Sequence, residues 1–405
     1  MAKIRPFRGI RPANDRAAAV IAPPYDVVSE EECRALTANN PQSFLRITRS
    51  EVDLPVGSDS HGPEAYATAR RNLDAFLAEG HLVQDETPSL YLYRQTWRGR
   101  TQTGLMALCS VAEYDAGTIK RHELTRPDKE QDRVDNMLAL EAQPGLVFLA
   151  FRAGSSDVRG AMQRAATHAP AWQVTTDDGV QHALIPVTDS DEIDGLVTAF
   201  DAVDSLYIAD GHHRSAAASR VADVRKNAGT SGWFLAGIFP DTELQVMAYN
   251  RVVADLHGRS VAQFRTAVEA EFDVTPGSPT PSERGTISMY LEGAWHTLTP
   301  RPGVVPADPV GCLDVAVLQD RILGPLLGIG DPRRDTRVQF VGGIRGPEAL
   351  QAAVDGGAAV AFHMYPTGMD QLFDVADAGL LMPPKSTWFE PKLRGGVVLH
   401  RFSDA

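Results

Sequence analysis

The stretch Leu206-Tyr207-Ile208-Ala209-Asp210-Gly211-His212-His213-Arg214-Ser215-Ala216-Ala217-Ala218 constrains this chain more than any other. Its first four residues suit a short buried strand, Asp-Gly suits a sharp turn, and the alanine-rich run suits a helix. A strand that passes through a glycine turn straight into a helix leaves the first amides of that helix unpaired. The positive end of the helix dipole is open as well, an arrangement suited to an anion such as phosphate. A purely structural reading makes Asp210 a helix cap, Gly211 the turn residue, and His212, His213 and Arg214 a solvated first turn. Basic side chains in a first turn oppose the dipole, so three in a row point to a ligand. Gly211, His212, His213 and Arg214 are therefore candidates for phosphate binding, and Asp210 for catalysis or metal binding.

With 405 residues the chain has room for two domains, or for one large domain with an insertion. The expected division is an α/β region over 1–252 that contains the turn, and an α+β lobe over 253–405 whose segment 381–392 returns to the site. The formal charge of −13 argues against a nucleic-acid partner, which would need a basic face. Cys33, Cys109 and Cys312 have neither disulfide nor zinc-knuckle spacing, which fits a reducing compartment. The start Met-Ala-Lys-Ile-Arg-Pro-Phe-Arg has no apolar leader core, and no run approaches the ~18 apolar residues of a membrane span. A cytoplasmic protein with no membrane partner is expected.

In chain order, Pro23-Pro24-Tyr25-Asp26 forms a rigid extended loop, with Tyr25 a candidate substrate contact and Asp26 a candidate base. Ser29 and Glu32 form a capping box for a helix over about 30–39. Residues 43–48 read as a strand on which Arg46 alternates against apolar neighbours and could face a substrate. A helix follows over 64–79, then strands over 90–96 and 101–109 joined as a hairpin. Strands are expected at 145–151, 232–240 and 244–251, the last two as a hairpin pair, so the sheet is expected to be mixed. The later lobe has a linker-like run at 275–282, a hairpin around Glu292-Gly293, a strand near 358–362 and a helix over 369–379.

The second polar cluster runs from Ile119 to Arg133. His122 and Glu123 supply a general base and a possible metal-binding carboxylate, Arg126 a phosphate-seeking cation, and Pro127 a helix start. A solvated loop before a helix accounts for the same composition. In the C-terminal stretch, prolines hold the chain extended while Lys385, Ser386, Thr387 and Lys392 offer donors suited to phosphate.

With Pro23-Pro24-Tyr25-Asp26-Val27 before the D-G-H-H-R turn and Met382-Pro383-Pro384-Lys385-Ser386-Thr387 after it, the chain resembles a bacterial and archaeal family of unknown function over nearly its whole length. The strand-turn-helix also resembles the signature turn of the ParB/sulfiredoxin fold, and within it the free serine kinases. The resemblance implies a mixed α/β fold with that turn at its core, and a turn that binds nucleotide phosphate. The reactive cysteine of sulfiredoxins is replaced here by His212-His213, and an acidic chain without a basic run departs from the DNA-binding ParB proteins. A glycine-rich Walker loop is also absent.

The function so expected is phosphoryl transfer from ATP or ADP, with Mg²⁺, to a small hydroxy amino acid such as serine. His122, Glu123, Asp26 and Asp210 are the acid–base candidates, and Glu123 and Asp210 the metal ligands. Alternatives are a non-catalytic nucleotide- or metabolite-binding regulator, and a metal-dependent hydrolase using His122, His212 and His213. A homodimer is a further expectation for the assembly.

Overall fold

The structure is a computed structural model that describes residues 2–154 and 156–402. The chain divides into two compact units, Met1–Leu244 with Pro391–Ala405, and Gln245–Glu390. The second is thus inserted into the first, and the expected boundary at 252/253 falls inside a strand, Tyr249–Val253. Among the described residues no helix is long and apolar enough to cross a membrane.

The described part of the first unit holds a nine-stranded sheet: β1 (Ile4–Arg5), β2 (Leu90–Trp97), β3 (Arg100–Ser110), β4 (Ile119–Lys120), β5 (Val147–Phe151), β6 (Trp172–Thr175), β7 (Gln181–Val187), β8 (Leu206–Asp210) and β9 (Trp233–Pro240). The order is β4-β8-β5-β9-β3-β2-β7-β6, with β1 on β3. The sheet is mixed: β4 runs parallel to β8, β5 parallel to β9, and the remaining neighbours antiparallel. The expected hairpin closes where Trp97 faces Arg100. Arg98 and Gly99 both have positive φ, 48° and 75°, the tight turn whose twist matches that of its strands.

The helices of this unit include α1 (Glu30–Thr37), α2 (Leu45–Thr48), α3 (Pro63–Ala78), α4 (Val111–Asp115), α5 (Pro127–Leu140), α6 (Ser156–Ala165), α7 (Ser190–Asp201) and α8 (His212–Val224). Leu149, Ile208 and Ile238 bury one face of the sheet against Val111 of α4, Met162 of α6, Phe200 of α7 and Ala218 of α8. The capping box at Ser29 and Glu32 is formed in both directions. Pro127 opens α5, where its missing N–H costs nothing.

Two expectations fail for physical reasons. Residues 43–48 are not a strand: Thr48 and Arg49 donate to the carbonyls of Phe44 and Leu45, and Phe44, Leu45 and Ile47 bury together in a helical cluster. Over so short a run, alternation cannot be told from one buried helical turn. Strands 232–240 and 244–251 are not a hairpin either. β9 pairs with β3 and β5, while Gln245–Met247 pairs with Trp388–Glu390 of the second unit.

The second unit carries a six-stranded sheet among its described residues, built from β10 (Tyr249–Val253), β11 (Phe272–Pro276), β12 (Ile287–Leu291), β13 (Ala294–Pro300), β14 (Val338–Gly342) and β15 (Val360–Met364) in the order β11-β13-β12-β15-β10-β14. Glu292 and Gly293 turn the expected β12–β13 hairpin. The protein is a mixed α/β structure with several sheets.

Candidate functional site

The D-G-H-H-R turn forms as strand, turn and helix. β8 ends at Asp210, Gly211 sits at φ 95° as the residue before α8, and the helix begins at His212. Only glycine takes that backbone at low cost, and a Cβ there would meet the Arg214 guanidinium at 3.3 Å and Val147 Cα at 3.4 Å. No side chain caps α8, so Asp210 is not the capping residue of the structural reading. The first intrahelical bonds run from the Arg214 and Ser215 amides to the Gly211 carbonyl, so the His212 and His213 amides precede them.

The parallel pairing of β4 with β8, Ile119 opposite Leu206 and Lys120 opposite Tyr207, carries the chain after β4 to the same sheet end. His122 and Glu123 thereby meet the start of α8. The His122 and His212 rings lie edge to face with centroids 4.6 Å apart, and Glu123 Oε2 is 3.8 Å from His212 Nδ1. Ligand atoms of His122, Glu123 and His212 all lie within 4.8 Å of one another. His122 and His212 are buried, whereas the Glu123 side chain is 48 % exposed. Burial holds His122 neutral with its pKa lowered to about 4, against a partial pull from Asp210. It lowers His212 well below the usual range, reinforced by His122.

His213 points elsewhere, as neighbours on a helix must. Its Nε2 accepts the Arg126 amide at 3.0 Å, and burial followed by the Arg214 charge lowers its pKa. The Arg126 guanidinium is held by Asp128, at 3.2 and 2.8 Å.

Arg214 is a buried tie. Its guanidinium donates to Asp26 and to Asp210, each at 3.2 Å, and to the Leu146 carbonyl. Its charge is therefore shared between two carboxylates rather than open to a phosphate. Tyr25 lies between two guanidinium groups, Arg133 at 4.1 Å and Arg214 at 5.9 Å from its ring centre, so the rigid proline loop is fastened to α5 and α8. Beside it a cavity of about 20 Å³, large enough for one water, is lined by Tyr25, Thr48, Arg133, Asn136 and Arg214 among others. Burial works against ionising Asp210, but Lys392, Arg214 and His212 outweigh it and its pKa is lowered to about 2.

The structure thus brings together Tyr25, Asp26, His122, Glu123, Arg126 and the turn Asp210–Arg214. Arg46 is not among them: its guanidinium bonds Asp53 and the carbonyls of Thr37 and Asn40. Lys385, Ser386 and Thr387 belong to the second unit, where Ser386 donates to the Pro383 carbonyl at 2.6 Å and Lys385 lies 5.7 Å from the Tyr249 ring centre. The return of the C-terminal stretch to the first unit starts at Pro391. The sequence pattern points to Lys392 as a phosphate donor but not to Arg133 or the Leu146 carbonyl. Arg133 lies in a segment whose charge is visible, whereas a backbone carbonyl gives no signal in a sequence.

The family model described as "Protein of unknown function (DUF1015)" matches residues 4–316. The chain belongs to that family. No curated protein matches it by sequence. Among solved structures, similar ones include SbnI with a C-terminal truncation from Staphylococcus aureus, at 11% identity and TM-score 0.41, covering 72% of this chain and 85% of that one. A conserved hypothetical protein from Pyrococcus furiosus has 11% identity and TM-score 0.36, over 73% and 95% of the two chains. A free serine kinase in complex with AMP has 10% identity and TM-score 0.35, over 71% and 86%.

Proposed function

We propose that this protein transfers a phosphoryl group from ATP or ADP to a small hydroxy amino acid such as serine. The observation that carries the reading is the meeting of Glu123 with the uncapped start of α8, His212 Nδ1 lying 3.8 Å from Glu123 Oε2. Nucleotide phosphate oxygens accept from the His212 and His213 amides at the positive end of the helix. Glu123, half exposed with neutral His122 behind it, takes the proton of the acceptor hydroxyl. The hydroxyl oxygen bonds the terminal phosphorus as the bridging P–O bond breaks, and the electron pair leaves with the nucleotide.

Asp210, whose carboxyl Lys392 and Arg214 hold well below the usual carboxylate range, is the hard oxygen donor that would suit Mg²⁺. Mg²⁺ held there would supply neutralisation of phosphate charge. Arg214 holds Asp210 and Asp26 in place and does not touch the nucleotide in this reading.

The test is incubation with Mg²⁺, ATP or ADP, and a panel of hydroxy amino acids, with mass-spectrometric detection of phosphorylated product. A product formed with one acceptor is expected. Tight nucleotide binding without any product would replace the kinase by a nucleotide-binding regulator.

A further inference from the structure

We infer that His122, Glu123 and His212 form a binding site for a divalent transition-metal ion such as Zn²⁺ or Co²⁺, chemically distinct from a Mg²⁺ site. Their ligand atoms lie within 4.8 Å of one another, so that a small inward shift of the half-exposed Glu123 side chain would let a single ion at about 2.0–2.2 Å touch all three. Two imidazoles and one carboxylate are a borderline-soft donor set, the composition of three-ligand zinc sites that keep one position open. Mg²⁺ prefers oxygen donors throughout.

A second observation points the same way. The His122 ring is buried and hydrogen-bonds the Ile208 backbone, while its Nδ1 has no hydrogen-bond partner among the described residues. An orphaned ring nitrogen at 3 % exposure is costly unless something occupies it. A metal-bound histidine commonly donates its other ring N–H to a backbone carbonyl, which fixes the tautomer with the lone pair toward the ion. At His212 the His122 amide reaches Nε2 only at 3.5 Å, too long to fix that ring's tautomer. Glu123, on the outer side and 48 % exposed, gives the ion a way in and an edge toward solvent.

This inference does not depend on phosphoryl transfer, in which Glu123 serves as base only while no ion occupies the site, and its test uses neither nucleotide nor amino acid. Untagged full-length protein, stripped with a chelator, is titrated with Co²⁺ and followed by its visible absorption and by metal analysis after gel filtration. One Co²⁺ per chain with the intense absorption of a four-coordinate site is expected, displaced by Zn²⁺ and unaffected by millimolar Mg²⁺. Removing a direct ligand in His212→Ala should weaken binding by more than the roughly 10–100-fold typical of outer-shell changes. Glu123→Gln changes a half-exposed side chain, so its fold is not at stake, and it should weaken binding as well. His168→Ala, which removes a surface histidine paired with Glu192, should leave binding unchanged. Stoichiometry well below one, displacement by Mg²⁺, or equal affinity in wild type and Glu123→Gln would each overturn the inference, whether or not the kinase assay succeeds.

Discussion

Arg214 looks in the sequence like a phosphate ligand and in the structure behaves as a fastener. Its guanidinium is buried and satisfied by two carboxylates and a carbonyl that come from three separate parts of the chain. Arg214→Ala leaves Asp210 and Asp26 unpaired beside a vacated guanidinium site, and should cost roughly 2–4 kcal/mol of stability. Both carboxylates are about 40 % exposed, which keeps the cost to that range. Urea unfolding measures it, and an unchanged midpoint would return Arg214 to the ligand. Glu123 is the opposite case, with a side chain 48 % exposed. Glu123→Gln keeps the volume but cannot take a proton, so turnover should fall by roughly 10²–10⁴ with nucleotide affinity little changed. Recovery of turnover at high Mg²⁺ would instead identify Glu123 as a Mg²⁺ ligand, since binding was then what the substitution weakened.

The elements that matter are β4, β8 and α8. β4 has only two residues, yet its parallel pairing with β8 brings the 122–123 pair beside the turn at 210–214. Gly211 then aims the helix. Gly211→Ala would force a φ of 95° on a residue with a Cβ and press that atom on Arg214 and Val147. Backbone strain alone costs about 1–2 kcal/mol. The start of α8 should also shift, so nucleotide affinity measured by calorimetry should drop along with the thermal midpoint. A variant with both unchanged would mean that the first turn of α8 has slack.

On the scale of the whole molecule, four buried histidines described in the first unit are held neutral by burial, His122 at about 4, His182 and His400 at about 3, and His212 well below the usual range. Their folded pKa values lie below the ordinary 6.5, so above pH 6.5 both folded and unfolded chains carry them neutral. As pH falls below 6.5 the unfolded chain takes up protons that the folded chain refuses, and stability drops until the folded values are reached. By about pH 4.5 the loss should be about 2 kcal/mol or more per group. Urea midpoints at neutral pH and near pH 4.5 test this, and equal midpoints would contradict neutral burial. A second prediction concerns the insertion: Gln245 lies opposite Glu390 in an antiparallel pair, so the two ends of the inserted unit are neighbours. Replacing 245–390 by a short glycine-containing turn should leave the first unit folded, as judged by circular dichroism and a cooperative melt. Loss of cooperative unfolding would mean that the first unit depends on the insertion.

The local chemistry of this chain determined what was legible without coordinates. The capping box at Ser29, the proline start of α5, the turn at Arg98-Gly99 and the strand-turn-helix at 206–218 each depend on a few consecutive residues. Their signals are propensity and hydrogen-bond geometry, which act over one or two turns. Tertiary structure alone decided the rest. Residues 43–48 became helix because burial of Phe44, Leu45 and Ile47 in one cluster overrides a weak local alternation. β9 went to the centre of the first sheet rather than to a hairpin because its partners lie about 80–130 residues earlier in the chain. The pairing of Arg214 with Asp26, and of His122 and Glu123 with His212, joins groups roughly 90–190 residues apart. Side-chain type reveals what a residue can bind, but which partner takes up its charge is settled only by the strand order that brings distant carboxylates and imidazoles to one end of the sheet.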